Sequence, residues 1–231
     1  MSSDTRNINR RTVGNRVILA IDVISTAIGL YGLYEISLIE LPAPLRGAGK
    51  WQFLTNLSLL FSILTFSVGI ISHLTRSEAI FQLKNFLHVI SFVAEAVVTS
   101  VYWPLRLFFL HYLVNDGNIR IKLTVDLAIH FMPFVSLAID FFFFMPNFTI
   151  KTRSAFLLFI SLTSAYWFWL NSIIDLERGG IFPYAFLNIG NNLTRLIIFW
   201  VIGFSAFLQF LLMRFLYNSF VGVSAIKQKI Q

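Results

Sequence analysis

LIIFWVIGFSAFLQFLLMRFLY occupies residues 196–217 and carries a single charge, Arg214. A helix crosses the hydrocarbon layer of a bilayer with about 20 predominantly apolar residues. This stretch meets that length. It is continuously apolar rather than alternating, so a helix, not a barrel strand, satisfies its backbone in lipid. Five further runs have the same character, over residues 17–34, 51–74, 86–114, 123–145 and 154–174, the third interrupted by Pro104 and Arg106. The expected fold is all-α: a polytopic membrane bundle of about six spans, with residues 1–231 forming one integral membrane domain. No internal repeat stands out.

Composition agrees. The chain is 57% hydrophobic and 13% charged, where a soluble domain is about 25% charged. Too little charge is present to cover a water-exposed surface, and six spans leave no room for a separate soluble domain. Residues 1–16 are polar and hold Arg6, Arg10, Arg11 and Arg16. The apolar run that follows is longer than a signal core and no small-x-small site ends it, so a retained first span is expected.

The connections carry breakers. Leu41-Pro42-Ala43-Pro44 separates the first two spans, Asn115-Asp116-Gly117-Asn118 is a turn signal after the third, and residues 175–194 form the longest link. Of the 18 Lys and Arg, 11 fall on the side of the two termini, counting Arg76 and Lys84 in the 2–3 loop, and seven on the other. That excess predicts cytoplasmic termini. The +7 net charge is spread in ones and twos. It reads as topogenic charge, and no nucleic-acid partner is expected.

Ionisable groups within spans are costly and rare, so each is a candidate functional residue. Asp22, Glu95, Asp126, His130 and Asp140 lie in predicted spans. The alternative for each is a buried hydrogen-bonded group that specifies packing. Asp126 and His130 are four apart and share a helix face. A carboxylate there can fix one imidazole nitrogen and leave the other as a general base. A base needs a nucleophile, and the sequence has no cysteine. Ser, Thr or water remain. Thr55, one turn into the second run, and His130 both fall near the outer side in this topology. A Thr55 hydroxyl bonded back to its own helix is the bland alternative.

Metal chemistry is not expected. None of His73, His88, His111 and His130 has a second histidine three or four residues on. No phosphate loop, HExxH or GxSxG occurs. No cofactor is expected.

Four motifs in order carry a resemblance. They are Trp51-Gln52-Phe53-Leu54-Thr55-Asn56; Ala94-Glu95-Ala96-Val97-Val98 followed by Tyr102-Trp103; Asp126-Leu127-Ala128-Ile129-His130 followed by Pro133 and Asp140; and Gly180-Ile181-Phe182-Pro183-Tyr184-Ala185-Phe186-Leu187. The chain resembles the androgen-induced-gene family of six-span membrane proteins, and its fungal members most. It departs from the family pattern at Phe182, where Trp is usual, at Ala185, where a second Pro is usual, and at Leu127, where animal members have a first His. The animal members are threonine hydrolases that cleave fatty acid esters of hydroxy fatty acids. The resemblance implies Thr55 as nucleophile and His130 as base; Asp126, Glu95, Gln52 and Asn56 are supporting candidates from their positions in the sequence, the last two for the oxyanion. It implies a lipid ester as substrate, membrane lipids as surroundings, and the endoplasmic reticulum or another endomembrane as location. Two rival expectations stand beside it: a proton-coupled transporter using the intramembrane carboxylates, and a non-enzymatic regulatory membrane protein.

Overall fold

The computed structural model describes residues 13–113 and 121–222. Among the described residues there is no strand, and six helical segments are long and apolar enough to cross a membrane. The first three are α1, Arg16–Leu38; α2, Leu54–Thr75; and α3, Glu78–Phe108. The fourth is broken into α4, Leu123–His130, and α5, Met132–Phe143. The last two are α6, Thr152–Ile173, and α7, Asn192–Tyr217. The expected all-α bundle is the fold, and the chain is an integral multi-pass membrane protein. The turn at Asn115-Asp116-Gly117-Asn118, the arginines at 6, 10 and 11 and the C-terminal Lys227 and Lys229 lie outside the described residues.

Helix ends follow local chemistry. Asn15 caps α1 by accepting the Val17 amide at 2.9 Å. Ser77 caps α3 through the Ile80 amide, after Arg76 ends α2 in a left-handed turn, φ 53°. α3 therefore begins eight residues ahead of the expected position 86. It also runs through Pro104 and Arg106 to Phe108 instead of breaking there. The early start escapes a hydropathy reading because Glu78, Gln82, Lys84 and Asn85 lower the local average.

Lys84 corrects the expected loop assignment. It is fully buried in α3, 3.0 Å from Asp22 of α1 and 2.8 Å from Asp140 of α5. Gly69 of α2 completes the enclosure, since a Cβ there would overlap the Asp22 carboxylate. His88 lies beside Asp140 at 3.5 Å. With Lys84 inside the bundle, the basic excess that predicts orientation narrows.

The break in the fourth span has a covalent cause. Pro133 has no N–H to give the carbonyl one turn back, and its ring crowds that turn. Phe131 leaves helical geometry at φ −134° and ψ −52°. At this break the His130 carbonyl accepts from Thr99 Oγ1 at 2.8 Å and Trp103 Nε1 at 3.3 Å, both from α3. His130 is thereby fixed at the inner end of α4.

α1 lies close on its neighbours through small residues. A Cβ on Gly29 would approach Ile63 Cγ1 at 2.7 Å, and one on Gly32 would approach Ile129 Cγ2 at 2.6 Å. Close backbone approach of this kind holds helices together in lipid. Between α2 and α3 the packing is polar: Thr65 Oγ1 meets Ser91 Oγ at 2.7 Å, and Ser62 Oγ donates to Glu95 Oε1 at 2.9 Å.

Candidate active site

The site lies at the end of the bundle that carries the 1–2, 3–4 and 5–6 connections. Thr55 is the second residue of α2 and is 7% exposed. Helix starts leave amide donors without partners, and no side chain of the preceding residue caps this one. The cap comes from far away. Tyr184 Oη, in the 5–6 connection, accepts the Leu54 amide at 2.9 Å. The same residue lines the cavity beside Thr55. Its ring is partly exposed while its hydroxyl end is enclosed, and burial pushes the phenol above its ordinary pKa, so it remains a neutral hydroxyl.

The turn before Thr55, Lys50–Gln52, is held by aromatic donors of α6. Tyr166 Oη donates to the Gln52 carbonyl at 2.7 Å and Trp169 Nε1 to the Trp51 carbonyl at 3.1 Å. The Trp51 carbonyl is the one a back-bonded Thr55 hydroxyl would use.

His130 is 4% exposed. Its Nδ1 lies 2.9 Å from Asp126 Oδ1. An ionised carboxylate only accepts, so Nδ1 carries the proton and Nε2 keeps the lone pair. Asp126 also accepts a short hydrogen bond from Tyr102 Oη and one from Arg106 Nε at 3.4 Å. The Tyr102 ring stacks on His130 at 3.4 Å between centroids and 6° between planes. The imidazole thus has a fixed tautomer and a fixed plane.

Thr55, Asn56 and His130 line one cavity, with Lys50, Tyr102, Arg106 and Tyr184. Asp126 stands behind His130. Gln52 is fully buried below the site, and both protons of its amide are spent on the Leu45 and Gly49 carbonyls at 2.8 and 2.7 Å. It has no N–H left for an oxyanion. Asn56 uses Nδ2 on the Lys50 carbonyl at 2.7 Å and keeps one proton. Glu95 does not reach the cavity; it belongs to the polar seam with Ser62. Among the described residues no group of three or more His, Asp and Glu side chains is placed to hold a metal ion.

Tyr102, Tyr166, Tyr184 and Arg106 shape the site, and the sequence assigns none of them a role. Tyr102 and Tyr184 stand in the quoted motifs, so a signal existed. What it lacked was the partner of each.

The Far-17a/AIG1 family model, described as FAR-17a/AIG1-like protein, matches residues 18–218. The chain belongs to this family. The FAR-17a/AIG1-like match takes in all six spans and every site residue named above. Two fungal proteins align with it. The UPF0641 membrane protein YHR140W of Saccharomyces cerevisiae is 30% identical over 207 residues, covering 83% of this chain and 86% of its own. The UPF0641 membrane protein PJ4664.05 of Schizosaccharomyces pombe is 27% identical over 165 residues, 71% of this chain and 73% of its own. No solved structure matches. The family resemblance carried by the four motifs therefore holds.

One test addresses Asp126 in this FAR-17a/AIG1-like site. Asp126→Asn keeps the shape but removes the charge and leaves one acceptor oxygen where His130, Tyr102 and Arg106 present three donors. A positioning role predicts unchanged thermal unfolding and an ester turnover reduced by ~10²-fold or more, as for a base held in the wrong tautomer. Unchanged turnover per folded molecule, with a lowered unfolding temperature, assigns Asp126 to packing alone.

Proposed function

We propose that the protein is a membrane-embedded threonine hydrolase of lipid esters, the class that includes fatty acid esters of hydroxy fatty acids. The observation that carries this reading is that Thr55 and His130 line the same cavity, with His130 Nδ1 bound to Asp126. His130 Nε2 takes the hydroxyl proton as Thr55 Oγ1 attacks the ester carbonyl. The tetrahedral species collapses with loss of the alkoxide, which collects that proton from His130. Water then gives a proton to Nε2 and attacks the acyl-threonine. The acid leaves, and Thr55 recovers its proton. Tyr184 holds the start of the helix that carries Thr55, and Tyr102 holds the imidazole. The termini are proposed to be cytoplasmic and the membrane to be the endoplasmic reticulum or another endomembrane.

Activity-based labelling tests this. Detergent-purified protein treated with an alkyl fluorophosphonate is expected to take up one phosphonyl group, mapped by mass spectrometry to Thr55 and blocked by prior incubation with a lipid ester. Labelling elsewhere, or none, overturns the proposal.

A further inference from the structure

Thr55 faces two cavities. The first, already described, holds His130. The second lies between α3, α6 and α7 and also opens on Thr55, Tyr102 and Tyr184. No charged side chain lines it, and His130 does not reach it. Its walls are Ile90, Val93, Val97, Phe159, Ile202 and Ala206, among others. Along α3 it runs from Tyr102 to Ile90, which is about 18 Å at the helical rise. That is the reach of a long acyl chain, not a short one.

The position of His130 decides which arm of an ester lies where. The group that protonates the departing alkoxide must face the alcohol side of the scissile bond. The water that deacylates the enzyme must meet the same imidazole, so it enters on that side too. Both requirements place the alcohol arm in the cavity holding His130, Lys50 and Arg106. The acyl chain stays covalently attached to Thr55 throughout. It needs a dry, apolar compartment next to that residue, and the second cavity supplies one. Resting on the hydrolase reading, we infer that the cavity between α3, α6 and α7 is the acyl-chain compartment, and that Ala206 and Ala94 set how much chain it accepts.

Ala206 lies about 10 Å below Phe199 along α7, and Ala94 about 12 Å below Tyr102 along α3, by helical rise. Both line the cavity. A larger side chain at either one shortens it without approaching Thr55.

The experiment compares three esters on parent, Ala206→Leu and Ala94→Leu proteins: methyl palmitate, with a long acyl arm; cetyl acetate, with a long alcohol arm; and p-nitrophenyl acetate as the short reference. Ratios of kcat/KM within one preparation cancel differences in folded fraction. Each variant is expected to lose about tenfold or more on methyl palmitate relative to p-nitrophenyl acetate, the scale on which a pocket discriminates by apolar volume. The ratio for cetyl acetate is expected to hold. If cetyl acetate suffers and methyl palmitate does not, the two arms are reversed and the inference is wrong. If neither ratio moves, or both fall together, the cavity does not measure the acyl chain, while Thr55-dependent hydrolysis by the parent leaves the hydrolase reading standing. A parent protein with no Thr55-dependent hydrolysis of any of the three overturns that reading and this inference with it.

Discussion

A Thr55→Val protein is expected to fold and to turn over no lipid ester. Valine keeps the branched shape and removes only the oxygen. The structural cost is at most one hydrogen bond of a single hydroxyl, about 1 kcal/mol, while the Leu54 amide keeps its bond to Tyr184, so thermal unfolding in detergent should shift by a few degrees at most. The chemical cost is the nucleophile itself. Residues that act as one unit each remove most of the rate when lost, by a factor of about 10⁴ to 10⁶ in kcat. Thr55→Ala and His130→Ala should therefore each approach the rate without enzyme, and the double variant should be no worse than either single one. Thr55→Ser keeps the hydroxyl and should retain part of the activity. Near-normal turnover by folded Thr55→Val would return this threonine to a packing role and remove the mechanism.

The second large effect concerns stability. Lys84→Met is expected to cost about 3–5 kcal/mol, the penalty for leaving a buried charge without its partner. Two carboxylates lose their counter-charge here, Asp22 and Asp140, both fully buried. Against a typical total stability of about 5–15 kcal/mol that is a large fraction, and the variant should elute as aggregate in size-exclusion chromatography. The control removes the charges together. Lys84→Met combined with Asp22→Asn and Asp140→Asn should recover most of the monodisperse protein, because replacing a whole buried ionic cluster is far less costly than breaking it. A Lys84→Met protein as stable as the parent would mean that the three groups do not depend on one another.

These two sites differ in how far the sequence reveals them. The spans were legible because runs such as 196–217 have a length and composition that only a bilayer explains. The pairing of Asp126 with His130 was legible because four residues of helix put both on one face. Thr55 could be brought near His130 by counting turns from the same membrane surface. Lys84 was misread because a lone lysine among polar neighbours looks like loop, and only the positions of Asp22 and Asp140, 62 and 56 residues away in sequence, make it a core residue. Gln52 was a reasonable oxyanion candidate until its amide was seen to be spent on the backbone of its own turn. Tyr184 stands in a motif but its partner could not be read, and Tyr166 carried no signal. Each contacts residues 52–55 from more than 100 positions later, and no local pattern encodes that.

The distance in sequence between Leu54 and Tyr184, 130 residues, also fixes an order of events during synthesis. Chains emerge N-terminus first. By the time the fourth span has left the ribosome, Thr55, Asp126 and His130 are all present, but the start of α2 still lacks the phenol that caps it and the α6 aromatics that brace its turn. The backbone that carries the threonine is capped and braced only when the last connection folds back over the first. A nascent or truncated chain inserted in the membrane thus holds the reactive side chains without their arrangement, and maturation of the site waits on the final third of translation.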